Sequence, residues 1–398
     1  MDFDAVVIGG GIAGASIAYE LAADRRVLLL EQERQLAYHT TGRSAAIYLQ
    51  SYGNAAVRAL TVASRTDFDR LSELVDGTPL LTPKALLWTA DDEGAAHLEE
   101  LLESVPQLRP VAPAAAVELC PALRPEKVAL AAEDVSAMEI DVHATHEAYV
   151  RGFRQRGGTI RAEAPVERLA ASDGAWRVES GSFTAEAPVV VNAAGAWGDV
   201  VAERAGVRPV GLQPLRRTIF TSPVSGWQDL DAWPFIGDAG YHFYFKGEHD
   251  QVMASPADET PDVPRDAKPA EIDIARAIQV INEYTRLELR SVRSAWAGLR
   301  TFASDRSPVV GDAPDAPGFF WFVGQGGYGI QMGPALARTG AALALRRPLP
   351  ADVAALGVTA EALSPSRPGV ASRPHTAPGH SRSSARPRSA TASRSPIA

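Results

Sequence analysis

Hydrophobic and polar positions along this chain change period repeatedly, and the changes predict an alternation of strands and helices. Ala5-Val6-Val7-Ile8 and Val27-Leu28-Leu29-Leu30 are unbroken apolar runs of strand length. Such runs suit strands buried on both faces. Between them a stretch of small residues with helical character opens after Gly9-Gly10-Gly11. Val57, Leu60, Ser64, Phe68 and Leu71 recur at helical spacing and predict an amphipathic helix. Asp141 opens another, with Val142, Tyr149 and Phe153 apolar, and Gly157-Gly158 stops it. Short strands are then predicted at Thr159-Ile160, Val166 to Leu169 and Trp176 to Val178, before the apolar run Val189-Val190-Val191-Asn192 enters Ala193-Ala194-Gly195. Farther on, Tyr241 to Lys246 alternates as a strand, and Ile272, Ile274, Ile278 and Ile281 mark a helix. Phe320-Trp321-Phe322-Val323 is a last strand, followed by an alanine-rich helix.

A chain of 398 residues is long for one simple core and suits two intertwined domains. The returning apolar strands assign 1–78, 139–212 and 296–347 to one domain, and the inserted segments 79–138 and 213–295 to a second. Residues 348–363 extend the fold. From Ser364 to Ala398 the chain is mostly Ser, Arg, Pro, Ala and Gly without an acid, so 364–398 reads as a disordered basic tail. The net charge of -9 and the lack of a basic stripe before that tail argue against nucleic acid as a partner. No run of eighteen apolar residues is present to span a membrane. The first strand begins almost at once, leaving no room for a signal peptide, and the lone Cys120 suits a reducing cytoplasm. His143, His146 and Glu147 have helical spacing but no third partner, so no metal site is expected.

Strand, Gly9-x-Gly11-x-x-Gly14, helix, strand and Glu31 follow in the order of a dinucleotide-binding fingerprint. Gly9 serves the tight turn, Gly11 lets backbone approach a pyrophosphate, and Gly14 lets the helix pack on the sheet. Amides at the helix N-terminus, Ile12 and Ala13 among them, then meet phosphate, while Glu31 reaches a ribose. Only one such cradle is visible and it opens the chain, which favours FAD over a nicotinamide cofactor. Gly324-Gln325-Gly326-Gly327-Tyr328-Gly329 is a comparable cluster but lacks an acid at the right distance.

This fingerprint is followed by Thr41-Gly42-Arg43-Ser44-Ala45-Ala46, Asn192-Ala193-Ala194-Gly195-Ala196-Trp197, Ser255-Pro256-Ala257-Asp258-Glu259-Thr260, Trp296-Ala297-Gly298-Leu299-Arg300 and Gly326-Gly327-Tyr328-Gly329-Ile330. In this order the motifs resemble the D-amino-acid oxidase family of FAD enzymes, and within it bacterial D-arginine dehydrogenase-type D-amino-acid dehydrogenases. The resemblance covers residues 1 to about 367. It implies an α/β fold, a Rossmann-like FAD-binding domain with a mixed-sheet substrate domain, holding FAD non-covalently. By motif position it assigns FAD contacts to Gly9, Gly11, Ile12, Ala13, Gly14, Glu31, Gln32, Thr41, Gly42, Arg43, Ser44, Ala46, Val166, Gly195, Trp197, Arg300, Gly326, Gly327, Tyr328, Gly329 and Ile330. Arg300 and Arg217 match the arginines that grip a substrate carboxylate, Tyr52 and Tyr244 the tyrosines that flank it, and Gly327 lies beside them. Arginine's planar fork suits that task. Where arginine-preferring relatives place a histidine and an acid, this chain has Ile47 and Leu86, which with Tyr328 imply an apolar side-chain pocket.

The activity so implied is oxidative deamination of an amino acid, a D-amino acid with an uncharged side chain, by hydride transfer from Cα to flavin. Oxygen or a quinone-type acceptor would take the electrons. Oxidation of N-methyl or cyclic imino acids is the alternative, and a non-catalytic flavin-binding subunit is the alternative of another class.

Overall fold

A computed structural model describes residues 3–370. At its centre β1 (Ala5–Ile8) pairs in parallel with β2 (Val27–Leu30) on one side and with the Val189–Asn192 strand on the other. The Thr159–Arg161 strand lies beyond β2, and Phe319–Val323 followed by Val309–Asp312 completes the opposite edge. Both faces of this six-stranded sheet are covered, which explains the unbroken apolar runs. Val7 and Leu29 face the helices, whereas Val6, Ile8, Leu28 and Leu30 face a three-stranded antiparallel layer built from Arg168–Ser172, Ala175–Ser180 and Phe183–Ala187. On the helical side α1 (Ile12–Leu21) packs between the Val142–Gln155 and Gly333–Ala344 helices. The Ala55–Ser72 helix lies against both of those neighbours, its first turn capped by the Asn54 side chain.

The second sheet has ten strands of mixed direction. Its order runs from Gln325–Gly326 through Ser294–Phe302, Gln213–Pro223, Gln251–Ser255, Tyr244–Glu248, Phe235–Asp238, Leu86–Ala90 and Leu130–Asp134 to Arg109–Val111, and Thr260–Pro261 adds to the Gln213–Pro223 strand. One face is covered by the Glu271–Tyr284 helix through Ile274, Ala277 and Ile281. Ile272 points away from that contact and is 58% exposed. The strand read from Tyr241 onward begins only at Tyr244, because Tyr241 takes φ +57° in a turn closed by its own N–H on the Asp238 carbonyl. Ser294–Phe302 lies wholly in this sheet, so the boundary expected at 295 falls inside a strand.

The expected start of the tail at Ser364 is corrected by the structure. Arg367 is 8% exposed and gives Nε and Nη2 to the Asp305 carboxylate at 2.7 and 2.9 Å, with further donors to the Leu363, Ser364 and Ser307 carbonyls. Val370 is buried in the core beside Trp321. A single arginine that satisfies five acceptors holds this segment down, although composition alone suggests otherwise. The part of the tail from 371 onward lies outside the described residues. Arg367→Ala should therefore lower stability by about 1–3 kcal/mol, discounted because Asp305 is part-exposed. Denaturant melts would check this; an unchanged midpoint would sink the assignment. Among the described residues no helix is long and apolar enough to cross a membrane.

Candidate active site

A cavity of roughly 1490 Å³, its mouth included, runs from the C-terminal end of β1 to the second sheet. Gly9 sits at φ +108°, and a Cβ there would lie 2.5 Å from the Ala193 carbonyl oxygen, so only glycine allows the two strand ends to close up. Gly11 caps α1, and the Ile12 N–H behind it donates to Thr41 Oγ1 at 3.0 Å. Glu31, nearly buried, accepts from the Gly10 N–H at 2.6 Å and the Glu33 N–H at 2.9 Å, which fixes its carboxylate at the cavity wall. His146 also holds this loop, its Nε2 lying 2.9 Å from the Gly10 carbonyl. Burial lowers the pKa of that imidazole. His146 thus braces the glycine turn.

The substrate end is built by strand register. Arg217 lies opposite Gly298, and Leu215 opposite Arg300, so both arginines project from the same face of the second sheet. Gly298 lets the Thr40–Arg43 loop pack close, with Thr40 Cα 3.5 Å from where a Cβ would lie. Arg300 is part-buried and gives Nη1 to the Tyr52 hydroxyl at 3.2 Å. Burial works against its charge, but the Tyr52 and Tyr244 phenols raise its pKa above the ordinary arginine value. Burial likewise opposes ionisation of Tyr52, yet the Arg300 and Arg217 guanidiniums outweigh it and lower the phenol's pKa. Gly327 packs flat against Arg300, where a Cβ would lie 2.7 Å from the guanidinium carbon.

Most of the residues singled out in the sequence meet at this cavity: Gly9, Gly11, Ile12, Ala13, Glu31, Gln32, Thr41, Arg43, Ser44, Val166, Gly195, Trp197, Arg217, Tyr244, Arg300, Gly326, Gly327, Gly329 and Ile330 all line it. Others serve it from behind. Gly14 packs α1 onto Gly9, and Gly42 closes a turn on the Ala37 carbonyl. Ala46 adopts φ +60° and accepts from the Ile140 N–H. Tyr52 and Tyr328 stack edge to face with centroids 4.9 Å apart, outside the lining. Of the expected side-chain pocket, Leu86 is 2% exposed in a packed cluster with Leu49 and Trp88, and Ile47 packs against the same cluster, as do Tyr52 and Tyr244; Ile47 and Leu86 do not themselves line the cavity. Arg43 lines it, but its guanidinium is spent on Asp266 and on the Ala267 and Ala297 carbonyls. Lys268 and Arg43 together hold the Asp266 carboxyl down at about 2. Thr40, Ala164, Arg204 and Gln325 also line the cavity. Of these only Gln325 stood in a glycine cluster that could have flagged it.

FAD fits what is present. The glycine turn leaves backbone room at Gly11, and the buried Gln325 Nε2, His39 Nδ1 and Tyr244 hydroxyl have no protein partner, so polar groups await a ligand along the cavity. Dinucleotide cradle, second sheet and arginine pair define a two-domain α/β flavoprotein. Residues 4–343 match the FAD dependent oxidoreductase (DAO) family, and the chain belongs to that family. It is 26% identical to the FAD-dependent oxidoreductase domain-containing protein 1 of Bos taurus, over 86% of this chain and 81% of that protein. Glycine oxidase of Bacillus licheniformis is 25% identical over 87% of this chain and 94% of its own. Human mitochondrial dimethylglycine dehydrogenase is 25% identical over 64% of this chain but 30% of its own length. Among solved structures, glycine oxidase from Geobacillus kaustophilus superposes with a TM-score of 0.77 at 18% identity, covering 90% of this chain and 98% of that one. L-proline dehydrogenase from P. horikoshii superposes with a TM-score of 0.76 at 20% identity, covering 87% and 95%. The chain is thus an FAD-dependent oxidoreductase by family.

Proposed function

We propose that this protein oxidises the Cα–N bond of an amino acid with an uncharged side chain, a D-amino acid by the motif order it shares with D-arginine dehydrogenase-type enzymes. The observation that carries the reading is Arg300: a part-buried guanidinium beside Tyr52, facing the cavity next to Gly327, with no carboxylate partner among the described residues. A part-buried cation without a carboxylate partner favours an anion beside it, and a substrate carboxylate supplies one with two parallel hydrogen bonds. Arg217 and Tyr244 flank that position, and fixed orientation of the Cα–H bond is what these residues contribute. Bound FAD supplies the hydride acceptor. The imino acid released hydrolyses to a keto acid and ammonia, and oxygen or a quinone-type acceptor restores the flavin. Arginines at the site repel a cationic side chain, which supports an uncharged one.

Anaerobic addition of amino acids to the holoenzyme tests this. Loss of the visible flavin absorption is expected with D-methionine or D-leucine before D-arginine. The absence of bleaching by any amino acid would instead favour a non-catalytic flavin subunit. The similarity to dimethylglycine dehydrogenase favours a second reading, N-methyl or cyclic imino acids as substrates; sarcosine and proline in the same assay separate the two. FAD is held non-covalently in this reading, since the lone Cys120 is buried in the second domain's core and burial pushes its thiol up to about 12. Acid precipitation should leave the yellow colour in the supernatant; colour in the washed pellet would contradict this.

A further inference from the structure

Arg217, which lines the cavity, already shares a carboxylate with Arg306 behind it. Glu259 Oε1 accepts from Arg306 Nη2 at 2.8 Å and from Arg217 Nη2 at 3.3 Å, while its Oε2 accepts from Arg306 Nη1 at 3.1 Å. Arg217 also gives Nε to the Asp258 carbonyl at 2.7 Å. The Asp258 carboxylate is turned to the Thr218 N–H and hydroxyl and toward Arg216, so Glu259 is the acid that serves this pair. Arg306 lies over the Phe302 ring at 3.9 Å; Phe302 packs on Tyr328, and Tyr328 on Tyr52, whose hydroxyl holds Arg300. Three aromatic rings in series therefore link the Glu259 ion pair to the Arg300 guanidinium.

A carboxylate forked onto one guanidinium and touching a second is the geometry by which proteins grip a ligand carboxylate. Here the chain's own side chain fills that position. We infer that Glu259 is an internal stand-in for a second substrate carboxylate and restricts the site to amines that carry only one. A second ligand carboxylate would meet Glu259 as a like charge and find both neighbouring guanidiniums taken, which is discrimination by repulsion. The inference rests on the proposed reading that Arg300 receives the substrate carboxylate.

Its test is anion binding to the oxidised holoenzyme, followed by perturbation of the visible flavin spectrum. Acetate should bind the unmodified protein at least about tenfold more tightly than malonate or succinate, whose second charge is repelled. Glu259→Gln keeps the side-chain size and one acceptor oxygen but removes the charge, and should improve malonate relative to acetate by about tenfold or more. The ratio of kcat/KM for D-aspartate over D-alanine should rise in step, through KM. A merely structural role for Glu259 would weaken both anions together. An unchanged ratio in the variant, or preference for malonate in the unmodified protein, would overturn the inference and leave the Arg300 site standing. Should acetate not bind and no amino acid bleach the flavin, the functional reading itself falls and takes this inference with it.

Discussion

Arg300→Met should lower kcat/KM by a factor of tens to thousands while the protein keeps its FAD. The guanidinium is part-buried, its neighbours are phenols, and no carboxylate among the described residues depends on it, so removing it strips the site of its cation without stranding an acid. Loss of one partner from a desolvated carboxylate–arginine pair costs about 2–5 kcal/mol, and each 1.4 kcal/mol is about tenfold in rate. Methionine fills much of the same volume, so Tyr52 and Gly327 should stay in place. Steady-state kinetics with the best substrate, alongside the ratio of flavin to protein absorbance, would decide. Near-normal efficiency in a fully loaded variant would remove Arg300 from the site.

Gly14→Ala should abolish FAD retention and lower the melting temperature clearly. A Cβ at this position would sit 1.7 Å from the Gly9 carbonyl oxygen and 2.9 Å from its carbon. Both are backbone atoms of the turn that shapes the cradle, so no side-chain rotation relieves the clash and α1 must be pushed off β1. Overpacking costs about 1–3 kcal/mol where side chains can yield, and more is expected here. Gly11→Ala is the control for fold: its nearest neighbour is Thr41 Oγ1 at 3.1 Å, a hydroxyl that can turn away. Thermal melts and flavin content of the two variants separate the roles. A Gly14 variant with full FAD and an unshifted melt would show that the helix accommodates the methyl group.

The residues that met expectation did so for local reasons. β1, β2 and the Val189–Asn192 strand are continuous apolar runs because each is buried from both sides, and the helix after Asp141 starts where that side chain accepts the Ala144 N–H. Leu86 was a different case. Its apolar character was visible, but whether an apolar residue lines a cavity or lies in the packed core depends on what the neighbouring strands bring against it. Here they bring Leu49 and Trp88. Arg43 lines the cavity as well, but that its guanidinium is held by Asp266, far along the chain, was not legible in the sequence.

Periodicity, glycine spacing and the order of motifs by themselves determined the buried parallel strands of the first sheet, the dinucleotide turn and the FAD dependent oxidoreductase family, because buried strands and tight turns constrain neighbouring residues directly. Tertiary structure alone decided that Arg217 and Arg300 share a face, that His146 braces Gly10, that Arg367 ties the chain's later segment to Asp305, and that Glu259 lies between Arg217 and Arg306. Each of these depends on which distant partner arrives at hydrogen-bonding distance, and strand pairing across many residues sets that, not the side chains adjacent in sequence.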